Sequence, residues 1–237
     1  MKLSAPIYHL KRQAKALSRE QNIPLHQALD RIASQEGFTS WSLLAKRAST
    51  PSPSSALLAR LNSGDLVLLG ARPGHGKTLM GLELLIDAMA FGHHGFFFTL
   101  EYNESDMQKR FKAIGKDPMN FGDLFAFHNS DAISADYIIT KLASAPRGSV
   151  AVIDYLQLLD QKRENPELAD QVQVLKSFAR QKGLIIVFIS QIDRSYELTA
   201  KSCPDIKDVR LPNPLDLSLF NTTCFLNDGE VQIEAVR

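Results

Sequence analysis

The feature that most restricts this chain is a glycine-rich turn, Gly70-Ala71-Arg72-Pro73-Gly74-His75-Gly76-Lys77-Thr78, set between an apolar strand-like run and an amphipathic helical segment. Small residues let consecutive backbone N–H groups converge on one point. The helix that follows adds the positive end of its dipole, so the pattern builds a cradle for a phosphate chain. Arg72, Pro73, Gly74, His75, Gly76, Lys77, Thr78 and Leu79 are the expected nucleotide-contacting stretch. Lys77 is positioned to reach the β and γ phosphates as a point charge, and the Thr78 hydroxyl to take one place around Mg²⁺. The strict GxxxxGK[ST] spacing is broken, because its first glycine falls on Ala71.

Three more strand-like runs end in polar groups. Val150–Asp154 closes on a carboxylate, the run through Phe98-Thr99-Leu100 closes on Glu101, and Leu184–Ile189 is followed by Ser190-Gln191. In open α/β sheets ligands bind outside the carboxyl ends of the strands, so Asp154 is placed to hold Mg²⁺. A carboxylate on that rim can take the proton of an attacking water, and an amide can sense a terminal phosphate. Taken singly, each is also what a strand-end cap or a solvent-facing terminus looks like.

Strand-like and helix-like segments alternate from Asp65 to Ser190, and several strands are apolar on both faces, which predicts a mainly parallel sheet between helices. The tail, Thr222–Leu226 and Val231–Val236 around Asn227-Asp228-Gly229, predicts a hairpin. Ahead of this α/β region, Ile7, Leu10, Ala14 and Leu17, then Leu25, Ala28, Leu29 and Ile32, repeat at helical spacing. Pro24 suits a first helical turn, Gly37 a helix end, and Thr39 a cap for a third helix carrying Trp41, Leu43 and Leu44. The expected organisation is a three-helix module over residues 1–47, an extended Pro/Ser-rich connector over 48–56, and an α/β domain over 57–237.

Composition narrows the function classes. With 44% apolar and 22% charged residues in 237, the chain has the make-up of a globular protein rather than a disordered or fibrous one. No apolar run approaches the roughly 18 residues that span a bilayer, and Lys11, Arg12, Lys15 and Arg19 interrupt every stretch that could serve as a secretory signal, so a cytoplasmic protein is expected. Cys203 and Cys224 have no metal-like spacing, nor have His75, His93, His94 and His128. The first 50 residues hold eight Lys/Arg against three Asp/Glu, although net charge over the whole chain is only +1. Such a basic module suits nucleic acid, and equally an ordinary solvated face.

These pieces in this order resemble the RecA-like ATPase core, and more closely the C-terminal motor domain of DnaB-type replicative helicases. The resemblance rests on Ala71-Arg72-Pro73 before Gly76-Lys77-Thr78, on Leu100-Glu101, on Ile153-Asp154-Tyr155-Leu156-Gln157-Leu158, and on Ser190-Gln191 with Arg194-Ser195 behind it. It covers about residues 57–237. It implies ATP and Mg²⁺ as cofactors, Lys77 and Thr78 as their ligands, Asp154 as the Walker B carboxylate, Glu101 as catalytic base and Gln191 as γ-phosphate sensor. It further implies single-stranded DNA contacts from Lys162 and Arg163 behind the Asp154 strand, and from Arg194, Lys201, Lys207 and Arg210 in a mobile loop behind the sensor strand. A homo-oligomer is implied, a hexamer in a working motor, with an arginine finger for which Arg237 is the nearest counterpart. The family's N-terminal domain is replaced here by the small helical module, which would recruit an unknown protein partner. An ATP-hydrolysing DnaB-like DNA helicase or DNA-dependent ATPase acting on single-stranded or replicating DNA, and a RecA-fold ATP-binding regulatory or adaptor protein without translocation, therefore both stand as expectations.

Overall fold

The computed structural model describes residues 3–5, 7–49, 51–160, 165–199, 201–211 and 213–236. Their backbone forms two compact units, Met1–Ser52 and Pro53–Arg237.

The first unit holds helices α1 (Ile7–Glu20), α2 (Leu25–Gln35) and α3 (Trp41–Ser49). Leu10 and Ala14 from α1, Ala28, Ile32 and Ala33 from α2, and Leu44 from α3 are buried together, with Trp41 and Phe38 partly buried against them. Two breaks set the path. Asn22 adopts a positive φ between α1 and α2, and Pro24 fixes the backbone that starts α2. Ser40, rather than the expected Thr39, serves α3: its hydroxyl accepts from the Leu43 N–H at 3.4 Å. The Asp30 carboxylate takes the Trp41 N–H at 2.8 Å, which ties α2 to the start of α3.

The second unit begins earlier than its composition suggests. Residues 53–56, expected as extended connector, open the short helix α4 (Pro53–Leu58), and Ser49 still belongs to α3. The cause is distant in sequence: the Ser54 and Ser55 hydroxyls both donate to Asp87 at 2.7 and 2.8 Å, and Leu57 is fully buried. Pro53 at the first helical position needs no N–H there.

From α4 onward the chain builds a seven-stranded sheet. Its strands are β1 (Leu66–Ala71), β2 (Gly95–Thr99), β3 (Phe125–His128), β4 (Val150–Asp154), β5 (Ile185–Gln191), β6 (Thr222–Asn227) and β7 (Glu230–Ala235), in spatial order β3-β2-β4-β5-β1-β6-β7. Every pairing is parallel except β6 with β7, the expected hairpin. Strand β3 has no counterpart in the sequence pattern: four half-buried residues on an edge leave too short a period to read.

Both faces of the central strands are covered, which explains their continuous apolarity. On one face Leu66, Leu68, Phe98, Ile153 and Phe188 pack against α7 (Ala135–Leu142) and α8 (Leu168–Lys182). On the other, Val67, Leu69, Phe97, Val152 and Val187 meet α4, α5 (Lys77–Ala90) and α6 (Glu104–Ile114). Such a three-layer, mainly parallel sheet is the RecA-like α/β architecture, and it brings the carboxyl ends of β1, β2, β4 and β5 side by side on one rim.

Candidate functional site

Strand β1 lies inside the sheet between β5 and β6, and the glycine-rich turn leaves it directly into α5. Gly74 and Gly76 have φ of +84° and +85°, values an L side chain resists, and nothing lies within 4 Å of where a Cβ would project. Glycine is thus required there for backbone shape, not for lack of room. Gly76 caps α5 without a side-chain hydrogen bond, so the first N–H groups of α5 turn toward the loop. The motif's departure also has a structural reason. Ala71 is the last residue of β1 and packs in the core, while the glycine stands one place earlier, where a Cβ on Gly70 would come within 2.7 Å of the Phe225 ring.

Strand register carries the other groups to this loop. Asp154 pairs with Thr99 on one side and Ile189 on the other, and Gln191 pairs with Ala71. The Thr78 hydroxyl donates to Asp154 Oδ2 at 2.8 Å, and Asp154 is fully buried. Its second oxygen, Oδ1, is buried with no hydrogen-bond partner. Burial pushes the Asp154 carboxyl up to about 6; the Thr78 hydrogen bond and the nearby Lys77 and Arg110 charges oppose that, and Glu101 adds to it. A buried carboxylate with one oxygen held by a threonine hydroxyl and the other unpartnered, within electrostatic reach of a lysine, is a hard-oxygen donor set that fits Mg²⁺.

Glu101 lies just beyond β2 with its side chain exposed and its N–H donating to Thr99 Oγ1 at 3.0 Å. Two neighbours were not foreseen from sequence. The Tyr102 ring carries the Arg110 guanidinium 3.8 Å above its centroid, and its phenol is raised in pKa first by burial and then by the charges of Asp154 and Glu101, with the Thr78 hydroxyl and Arg110 acting the other way. The Leu100-Glu101 pattern marked the place, but Arg110 comes to it from α6.

His75 Nδ1 accepts the Asp228 N–H from the β6–β7 turn at 3.3 Å, and Pro73, Gly74, His75 and Gly76 line an open recess of about 400 Å³ with Asp228 and Gly229. Lys77 and Leu79 begin α5 above it, Leu79 exposed. Arg72, expected among the nucleotide contacts, is held by groups of the protein itself. Its Nη1 donates to the Ile192 carbonyl at 3.0 Å and its Nε to Glu197 at 2.8 Å, so the side chain ties the loop to the segment behind β5.

That segment, expected as a mobile DNA-facing loop, is folded on itself. Ile192 bridges to Val209, Tyr196, Cys203 and Val209 are buried, and Asp205 and Asp208 form a reciprocal cap around residues 206–208. Lys201, expected to meet phosphate, is held by Asp205 and Asp208 at 2.8 and 2.9 Å; both hydrogen bonds raise its pKa. Arg194, Lys207 and Arg210 are exposed. Gln191 shares a small cavity with Tyr155, Gln157 and Arg210; Gln157 Nε2 donates to the Arg210 carbonyl at 2.8 Å, and the Arg210 N–H to the Gln191 carbonyl at 2.8 Å. Lys162, Arg163 and Arg237 lie outside the described residues.

A protein-family model described as the KaiC ATPase matches residues 29–208. Among curated proteins, the replicative DNA helicase DnaB of Helicobacter pylori strain J99 is 26% identical over 195 residues, covering 67% of this chain and 40% of its own length. A probable plasmid replicative DNA helicase of Chlamydia trachomatis is 27% identical over 181 residues, covering 63% of this chain and again 40% of its own length. The chain thus spans about 40% of the length of the curated relatives it matches. Among solved structures, a DnaB-like replicative helicase described with its primase interactions aligns with a TM-score of 0.62 at 18% identity, over 97% of this chain and 71% of the other. A KaiC-like protein from Pyrococcus horikoshii aligns with a TM-score of 0.55 at 17% identity, over 74% and 80%. At these identities the structural matches establish the fold. No helix among the described residues is long and apolar enough to cross a membrane.

Proposed function

The chain belongs to the KaiC ATPase family, and from that premise we propose that it is a DnaB-like motor domain that hydrolyses MgATP and works on single-stranded DNA in the cytoplasm as a homo-oligomer. The observation that carries this reading is the pairing of Thr78 with buried Asp154, whose Oδ1 is left without a donor beside Lys77.

In this reading the turn from Pro73 to Gly76 and the first N–H groups of α5 cradle the phosphates, and the Lys77 ammonium binds the β and γ oxygens. Thr78 and Asp154 would hold Mg²⁺, which when bound supplies charge neutralisation on the phosphate oxygens. Glu101 takes the proton of the attacking water onto its carboxylate, and its exposure keeps it a free acceptor beside the buried Asp154. Gln191, one strand away and level with Ala71, reports the γ-phosphate to the segment that follows. Arg72 provides a second path to that segment, through Ile192 and Glu197. Arg194, Lys207 and Arg210 supply DNA contacts, joined by Lys162 and Arg163, while Lys201 is already neutralised by Asp205 and Asp208. Arg237 acts as the finger toward a neighbouring subunit's nucleotide in a hexamer.

A second reading, a nucleotide-dependent adaptor without translocation, is favoured by the self-contained folding of residues 192–211. Steady-state ATP turnover with and without single-stranded DNA, together with mass in solution under both conditions, separates the two. DNA-stimulated turnover in a ring supports the motor; unstimulated turnover in a monomer supports the adaptor; no Mg²⁺-dependent nucleotide binding overturns both.

A further inference from the structure

The exposed surface of α1 is unusually one-sided in charge. Its apolar stripe, Leu10 and Ala14, is buried in the three-helix core. Lys11, Arg12, Lys15 and Arg19 are all exposed, and at 3.6 residues per turn they fall within an arc of about 100°. Lys11, Lys15 and Arg19 make a straight row with steps of about 6 Å. None of the four forms an ion pair among the described residues. The acids of this unit are engaged elsewhere: Asp30 accepts the Trp41 N–H, Glu36 accepts from Ser4, and Glu20 lies off the arc at the end of the helix.

We propose that this face of α1 is a docking surface for the phosphate backbone of duplex DNA, separate from the nucleotide site and independent of the function proposed for it. Charge complementarity selects a polyanion. The burial of Leu10 and Ala14 leaves α1 no apolar stripe to insert into a lipid surface. A rigid row of cations at fixed spacing suits a stiff, regularly charged partner, and a duplex carries one charge per about 1.7 Å of axis, so each contact releases condensed counterions. The contacts are to backbone and are therefore independent of base sequence.

The test uses the full chain with a short fluorescein-labelled duplex, read by anisotropy without nucleotide between 50 and 200 mM salt. The variant Lys11→Gln/Arg12→Gln/Lys15→Gln/Arg19→Gln should bind at least about tenfold more weakly at the low end, and the slope of log affinity against log salt should flatten by roughly 3.6. The charge-retaining variant Lys11→Arg/Arg12→Lys/Lys15→Arg/Arg19→Lys should bind as the parent does. An unchanged slope in the neutral variant overturns the proposal, as does loss of binding in a charge-retaining variant whose circular dichroism matches that of the parent. Binding of polyglutamate as tight as the duplex overturns it in favour of an acidic protein partner, and a loss in the neutral variant that falls on single strands of the same sequence more than on the duplex overturns the duplex assignment. Circular dichroism on each variant confirms that the helices persist.

Discussion

Two regions on the same rim of the sheet solve opposite problems. Around the turn from Gly74 to Thr78, hydrogen-bonding capacity is left open: helix α5 starts without a side-chain cap, two glycines hold positive-φ backbone with open space beside them, and Asp154 keeps one buried oxygen unpartnered. In residues 192–211, capacity is used up internally, with Asp193 and Asp205 capping their own turns, Lys201 clasped by two carboxylates and the Tyr196 hydroxyl donating to the Lys201 carbonyl at 3.0 Å. A buried polar atom without a partner costs about 1–3 kcal/mol, so it persists where a ligand satisfies it; a segment closed on itself carries no such demand. The first region has the marks of a binding site and the second those of a relay, joined by Arg72.

The contrast is most exposed to failure at Glu101. Glu101→Gln should leave ATP affinity near the parent value and slow turnover about 10²–10⁴-fold, because an amide keeps the geometry but takes no proton. Unchanged turnover in a phosphate-release assay would move the base elsewhere on the rim. Next in size, Lys77→Ala should weaken MgATP binding about 10–100-fold in calorimetric titration, the worth of a lost charge-assisted contact. Wild-type affinity would mean the backbone cradle suffices alone.

Arg72→Ala sharpens the idea of a relay. It should change ATP affinity little, yet shrink the difference in hydrogen exchange of residues 192–199 between ATP- and ADP-bound protein. Glu197→Gln should do the same more mildly, since the Ile192 carbonyl contact remains. A full nucleotide response in both variants would leave Gln191 as the sole route. The smallest effect belongs to Lys201→Ala: DNA affinity should not move, and thermal stability should fall only slightly, because solvent screens an exposed pair. A clear loss of DNA binding in that variant would break the comparison itself.

How much of this was readable from sequence follows the range of the interactions. The shape of the glycine-rich turn is legible because its demands, positive φ at Gly74 and Gly76 and a helix start at Lys77, are met within a few residues. The position of Asp154, Glu101 and Gln191 at strand ends is legible because an apolar run ending in one polar residue is a local pattern, and the parallel order of strands then aligns those ends. The tie from Arg72 to Glu197 is invisible in the sequence because the two are 125 residues apart. Helix α4 was missed because Ser54 and Ser55 look like connector until Asp87, more than thirty residues on, accepts both hydroxyls. Tyr102 and Arg110 went unnoticed because their meeting depends on how α6 lies over the rim. Strand β3 was too short to show a period.

The hairpin of β6 and β7 meets the phosphate turn at both ends, with the Phe225 ring over Gly70 and the Asp228 N–H on His75. Those contacts join residues about 155 positions apart, His75 and Asp228 being separated by 153. During synthesis at about 5–20 residues per second, the turn exists for roughly ten to thirty seconds before its hairpin does. Strand β1 waits equally for both neighbours, since β5 and β6 are each made more than a hundred residues later. The surroundings of the turn are thus complete only once the hairpin has been made, and a ribosome-bound fragment stopped short of residue 222 should fail to retain ATP even with Lys77, Thr78 and Asp154 already made.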